Sequence, residues 1–201
     1  MDKRDFKLGL LIGFLIGLLA LPTLGNLDLA ISFYYFLLLP VIFPFLVVAG
    51  LFVADLIGEE IKIIKQVARF VLVGALNTFI DFGIIGLLLW MSGINAVNAI
   101  GIYAFFKFVS FSFASINSYF WNKSWTFEKA GKAEGKEFAG FYLVTGVGAL
   151  INVGIATLIL TALANSAIAS NLLAGIIAPF AGVLCGFVWN FLAYKFFIFK
   201  K

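Results

Sequence analysis

The stretch Ala68-Arg-Phe-Val-Leu-Val-Gly-Ala-Leu-Asn-Thr-Phe-Ile-Asp-Phe-Gly-Ile-Ile-Gly-Leu-Leu-Leu89 decides how this chain is read. It is long and apolar enough to cross a bilayer, it starts on a basic foot at Arg69, and it carries Asn77, Thr78 and Asp81 inward. An ionisable side chain within such a span is expensive and marks a functional site by default.

The rest of the sequence puts that span in lipid. Of 201 residues, 63% are hydrophobic and 12% charged, with a mean hydropathy of +1.11. A soluble domain is about half apolar and about a quarter charged, so most of this chain has hydrocarbon as its solvent. There is no histidine, which removes imidazole bases, His-ligated metals and Ser-His or Cys-His nucleophiles. Cys185 has no partner cysteine, so no disulfide forms within the chain. The composition predicts an all-α integral membrane protein.

Six spans are expected from the roughly 20 apolar residues a bilayer requires. They cover about 8–25, 29–56, 68–90, 96–121, 138–163 and 171–198. The charged start Met1-Asp-Lys-Arg-Asp-Phe-Lys7 has the look of a signal-peptide n-region, but no small-x-small site follows Leu19-Ala-Leu-Pro22, which predicts an uncleaved anchor. Gly9, Gly13 and Gly17 recur every four residues, as in helices that approach closely or simply in glycine-rich spans. Pro40 and Pro44 predict a kink or break in the second span. The segment Gly58–Arg69 mixes charge with apolar residues at near-helical spacing and predicts an amphipathic linker, 58–67, on the membrane surface.

Orientation is read from the cations. Lys3, Arg4 and Lys7; Lys62, Lys65 and Arg69; Lys123, Lys129, Lys132 and Lys136; and Lys195, Lys200 and Lys201 all fall on one side of the six spans. The connections Pro22–Asp28, Ser92–Asn98 and Ala164–Asn171 contain no Lys or Arg. Both termini are thus expected in the cytoplasm of a multi-pass cell-membrane protein, as three in-out-in hairpins. Gly131-Lys-Ala-Glu-Gly-Lys136 mimics a phosphate loop, but Glu137 stands where Ser or Thr would bind magnesium. Asn122-Lys-Ser124 is a glycosylation triplet on the wrong side. No cofactor and no nucleic-acid partner is implied.

Phe70–Leu89 and Phe141–Leu160 share eight identities in twenty positions, with Asp81 opposite Asn152. Ser118-Tyr-Phe-Trp-Asn-Lys-Ser-Trp-Thr-Phe127 aligns at nearly the same offset with Asn190-Phe-Leu-Ala-Tyr-Lys-Phe-Phe-Ile-Phe199, pairing Lys123 with Lys195. The last two hairpins therefore read as a parallel internal repeat, 68–127 and 138–201, behind an accessory hairpin at 1–57. Parallel repeats place a shared site on a pseudo-two-fold axis along the membrane normal.

Arg-Phe-x-x-Val-Gly-x-x-Asn-Thr-x-x-Asp at Arg69–Asp81, then Asn-Lys-x-Trp-Thr-Phe at Asn122–Phe127 and an aromatic, basic ending, resembles the GtrA-like family. The resemblance covers roughly residues 66–200 and not the first hairpin. It implies a four-helix core at 68–201 that flips a polyprenyl-phosphate-linked sugar for cell-surface polysaccharide synthesis or glycosylation. Related four-span domains are fused to polyprenyl-phosphate glycosyltransferases, so the alternative is an anchor or assembly partner of such an enzyme. The chain has no soluble domain and no Asp-x-Asp metal site, and is not expected to be an enzyme. A homo-oligomer is a further expectation.

Gly74, Asn77, Thr78 and Asp81 share one helical face. Tyr103, Lys107, Ser110, Ala114, Asn117 and Ser118 share another. At the helical rise, Asp81 lies roughly 18 Å above Arg69 and Lys107 roughly 22 Å above Asn122, so opposite charges meet near one depth. Two readings stay open: a lysine that passes a phosphate with Asp81 as counter-ion, or a static ion pair holding the hairpin. The phosphate-binding candidates are Arg69, Lys107, Lys123 and Lys195. The polar pathway comprises Asn77, Thr78, Asp81, Asn117 and Asn152, and Trp125 and Trp189 are the interface aromatics, although aromatic and basic belts are also ordinary anchors. Pro179, where a second Lys107 would fall, predicts a kink in the last span, with Gly182 and Gly186 allowing close packing. A proton-coupled exporter built on Asp81 is the third and weakest reading, because Lys107 gives that carboxylate a fixed counter-charge.

Overall fold

A computed structural model describes residues 1–25, 36–94, 99–163 and 177–200. The connections expected at Pro22–Asp28, Ser92–Asn98 and Ala164–Asn171 lie wholly or in part outside these residues, as do the first turns of the expected second and sixth spans. The regular elements among the described residues are helical: α1 (Lys3–Gly25), α2 (Leu39–Ile57), α3 (Ile63–Ser92), α4 (Ile100–Trp121), α5 (Gly135–Leu163) and α6 (Ala178–Ala193). Helix α4 runs on into a π-helical turn, Asn122–Thr126, and α6 into another, Tyr194–Ile198. Among the described residues, five helical stretches are long and apolar enough to cross a membrane: Leu39–Ile57, Ile63–Ser92, Ile100–Thr126, Gly135–Ala162 and Ala178–Ile198. The protein is an all-α, multi-pass membrane protein. It divides into two compact units, Met1–Glu128 and Lys129–Lys201.

In the amino-terminal unit the first hairpin is packed into the second rather than standing apart from it. Ile12 and Ile16 of α1, Val47 and Leu51 of α2, Val73 and Leu76 of α3, and Trp125 of the π-turn form one buried cluster. The glycine stripe makes this possible. A Cβ at Gly13 would sit 2.5 Å from the Pro44 Cα, and one at Gly17 2.5 Å from the Leu39 carbonyl oxygen, so α1 and α2 touch backbone to backbone. Pro40 falls in the first turn of α2, where a missing N–H costs nothing, and Pro44 is carried inside the helix.

The stretch 58–67 divides in two. Gly58 donates its N–H to the Ala54 carbonyl at 2.9 Å, and Ile61 to Ile57 at 3.2 Å, forming a tight turn that returns the chain directly into α3 at Ile63. No separate surface helix forms there, because Lys65 is already tied to Asp55 of α2 at 2.6 Å and folds over Gly58.

Each unit closes its membrane hairpin in the same manner. The Phe127 N–H reaches back five residues to Asn122 at 2.8 Å, and Phe199 to Tyr194 at 2.7 Å. The rings of Phe70 and Phe127 meet edge-on at 6.2 Å, and those of Phe141 and Phe199 meet tilted at 5.9 Å. In the carboxy-terminal unit, α5 and α6 pack through glycine: a Cβ at Gly186 would meet the Gly148 carbonyl at 2.7 Å, and one at Gly182 would collide with Asn152. Tyr194 stacks on Phe141 at 4.3 Å and shares a 2.5 Å hydrogen bond with Thr145. Pro179 lies in the first turn of α6, so it starts the described helix, and the residues before Ile177 lie outside the described residues.

Two glycine pairs test this packing. Gly13→Ala should destabilise the protein by about 1–3 kcal/mol in detergent thermal unfolding, whereas Gly50→Ala, with nothing within 4 Å of its new Cβ, should be neutral or mildly stabilising. In the second unit, Gly182→Leu should fail in the same assay where Gly154→Leu, also in open space, is tolerated.

Candidate functional site: a polar face within the spans and a charged knot at their end

Three groups of polar residues are held by these helices. The first lies within the α3–α4 hairpin. Lys107 pairs with Asp81 through Nζ and Oδ2, and Ser110 donates its hydroxyl to the other carboxylate oxygen at 2.5 Å. One turn away, Asn117 donates its amide to Asn77 at 2.7 Å. The Asn77 Nδ2 is buried without an acceptor. Thr78 turns back on its own helix, bonding the Gly74 carbonyl at 3.0 Å, and so contributes no cross-helix contact. The pair is asymmetric: the Lys107 side chain is 43% exposed and Asp81 17%. The carboxylate is fixed by two donors, while the ammonium has one charged partner and an open side.

The second group sits at the end of the amino-terminal unit where α3 begins. Arg69 is only 11% exposed and is surrounded by acceptors. Its Nη2 donates to Asp5 at 2.8 Å, and its Nη1 donates to Glu128 at 2.6 Å and to the Trp125 carbonyl at 3.1 Å. Trp125, with no exposed surface, donates its indole N–H to the second oxygen of Asp5 at 2.7 Å. Around this knot Arg4 donates to the Ser124 carbonyl at 2.6 Å and Gln66 to Thr126 at 3.2 Å. Glu128 reaches Arg69 from a left-handed backbone, φ +50°, which costs roughly 1–2 kcal/mol for a residue with a Cβ. The ion pair offsets that cost.

The third group comprises the aligned lysines. Lys123 is 6% exposed and lies over the Tyr119 ring, 5.7 Å from its centre, with Nζ 3.5 Å from the phenol oxygen. Lys195, in the other unit, lies over Phe191 at 5.7 Å and Phe196 at 5.9 Å. Each is held by cation–π contact at the end of its hairpin.

Of the residues that the sequence marks as polar pathway, Asp81, Asn77 and Asn117 come together with Lys107 on one face, and Ser110 joins them as an unassigned third partner. Asn152 packs against Gly182 rather than on a cation. Trp125 is not a rim aromatic: it is a buried core residue whose only polar atom is satisfied by Asp5. Trp189 is 38% exposed and donates to the Val144 carbonyl at 3.2 Å. Asp5 is a site residue that sequence reasoning misses. Its one local signal is an acid among three cations just before an apolar run, which any charged amino-terminal segment displays.

The sequence profile of the GtrA/DPMS transmembrane domain matches residues 69–199. The first hairpin and the turn after it lie ahead of that range. The chain is also 32% identical over 127 residues to the "Uncharacterized membrane protein YngA" of Bacillus subtilis (strain 168), covering 63% of this chain and 77% of that protein. No solved structure matches. With nearly two thirds of its length matched and its Arg69–Asp81 and Asn122–Phe127 motifs inside the match, this chain belongs to the GtrA/DPMS transmembrane-domain family.

Proposed function

We propose that the protein carries a polyprenyl-phosphate-linked sugar across the cytoplasmic membrane, with both termini on the cytoplasmic side. The observation that carries this reading is the asymmetry of the Asp81–Lys107 pair, its carboxylate the more enclosed partner. A phosphate crossing hydrocarbon needs a cation at mid-depth, and the cost of keeping one there falls when a carboxylate neutralises it. Asp81 supplies that neutralisation while held in place by Ser110, and Lys107 retains an open side on which a phosphate can replace the carboxylate. Asn77 and Asn117 offer neutral hydrogen-bonding groups one turn nearer the basic end, suited to sugar hydroxyls.

Lys123 and Lys195 are the cations proposed to receive the headgroup at the cytoplasmic face. Each is a long side chain held over aromatic rings at the end of its own hairpin, Lys123 almost wholly buried there. An isoprenoid tail stays in lipid throughout, so only the phosphate and sugar need a polar route. No nucleotide is involved, and transport follows the gradient of the lipid-linked sugar.

Proteoliposomes loaded with a labelled polyprenyl-phosphate sugar test the reading directly. The protein should scramble the lipid well above empty vesicles, alone or with a co-reconstituted polyprenyl-phosphate glycosyltransferase. Lys107→Ala should lower the rate at least about tenfold, the scale of one charge-assisted hydrogen bond, and Lys107→Arg should keep most of it. A rate no faster than empty vesicles in both settings would sink translocation and favour the role of an assembly partner for such an enzyme.

A further inference from the structure

The Asp5 carboxylate fills its place incompletely. An arginine presents Nε and Nη2 side by side, a fork that takes two oxygens of one oxyanion. Asp5 occupies only half of that fork: Oδ2 sits on Nη2 at 2.8 Å, while Oδ1 is turned away to the Trp125 indole at 2.7 Å. The Arg69 Nε is left buried with no acceptor among the described residues. Three donors, Nη2, Nε and the indole N–H, thus converge on a group that has two oxygens. A phosphoryl group has three terminal oxygens and would satisfy them all.

The origin of the parts points the same way. Arg69 and Trp125 lie inside the region matched by the family profile, and Asp5 lies in the hairpin ahead of it. The donors therefore belong to the shared domain and the acid to the addition. Asp5 is also held from a position that can yield. It sits in the first turn of α1, where helix ends open most readily. The acidic residues nearest the seat besides Asp5 are Glu128, which stays on Nη1, and Asp2, 4.0 Å from Nη2 and 60% exposed. Asp2 also caps the Asp5 N–H at 2.6 Å, so it moves with the same turn.

We propose that Arg69 and Trp125 form a phosphoryl seat at the end of the amino-terminal unit, and that Asp5 is its built-in competitor, holding the seat until a phosphorylated ligand displaces the first turn of α1. This rests on the reading that the protein handles isoprenoid phosphates, and it adds a gate to that reading. The seat's three donors match the three terminal oxygens of an isoprenyl monophosphate, whereas a sugar-linked phosphodiester offers two and a neutral lipid none, and the empty seat is avoided because the carboxylate returns.

Binding separates this proposal from transport. The detergent-solubilised full chain and its Asp5→Asn variant would be titrated with a short isoprenyl monophosphate, the matching isoprenol, and inorganic phosphate. Asp5→Asn keeps the shape but loses the charged hold on Arg69, so it should bind the monophosphate about ten- to a hundredfold tighter, and Arg69→Gln in the same background should abolish the gain. A gain shared by inorganic phosphate identifies a seat for the phosphoryl group alone. A gain confined to the isoprenyl phosphate identifies the lipid. Unchanged or weaker binding, or an equal gain for the isoprenol, overturns the proposal. Hydrogen exchange on the wild-type chain gives an arm independent of the variant's folding: the monophosphate should speed exchange at Phe6–Leu10, and no change there overturns the gate. Vesicles that fail to scramble would refute translocation and leave the seat standing. Scrambling without tighter binding by Asp5→Asn would do the reverse.

Discussion

A guanidinium almost wholly withdrawn from water requires counter-charge, and the amino-terminal unit is arranged to supply it. Arg69 receives a carboxylate from α1 and another from Glu128, two residues past the π-turn, and its Nη1 also donates to the Trp125 carbonyl. Removing either acid would leave a buried cation under-compensated, a more damaging change than losing the attraction itself. Three segments far apart in sequence are thereby pinned to one atom group. The glycine contacts between α1 and α2 and the apolar cluster around Val73 then fill the space this pinning defines.

The two hairpins are alike at their ends and unlike in their middles. Their ends are alike: a π-helical turn, an N–H reaching back five residues, a phenylalanine pair and a lysine over aromatic rings. Their middles differ. Where the first hairpin has Asp81 against Ser110, the second has Asn152 against Gly182, and the charge has been exchanged for close backbone contact. The likeness thus lies at the hairpin ends, while the first hairpin carries an ion pair within its spans where the second carries close packing of Asn152 on Gly182.

Much of this architecture is legible from residue spacing. Apolar length identifies the helices, and counting helical rise from Arg69 and from Asn122 brings Asp81 and Lys107 to one depth. What escapes is long-range or rotational. Asp5 and Trp125 are 120 residues apart, and no local pattern links them. Trp125 has the sequence context of a rim aromatic beside a lysine, but the π-turn inserts one residue per turn and rotates every later side chain relative to a regular helix. Lys65 has the spacing of a surface helix because its partner, Asp55, lies across a turn whose tightness depends on Gly58. Thr78 shares the polar face by periodicity, yet a hydroxyl in a helix can bond the carbonyl four residues back, and it does.

The span between Asp5 and Trp125 also sets an order of assembly. The chain emerges amino-terminus first, so α1 and α2 can zip together through their glycines as soon as both have been made. The acid at the head of α1 then has no arginine until α3 arrives, and no indole until the end of α4. Through that interval its charge is best kept in the water at the membrane surface. The last contact of the knot is made by Glu128, the final residue of the amino-terminal unit. Every residue of the knot therefore precedes the second unit in the chain, so the first unit needs no residue of the second to satisfy its buried arginine.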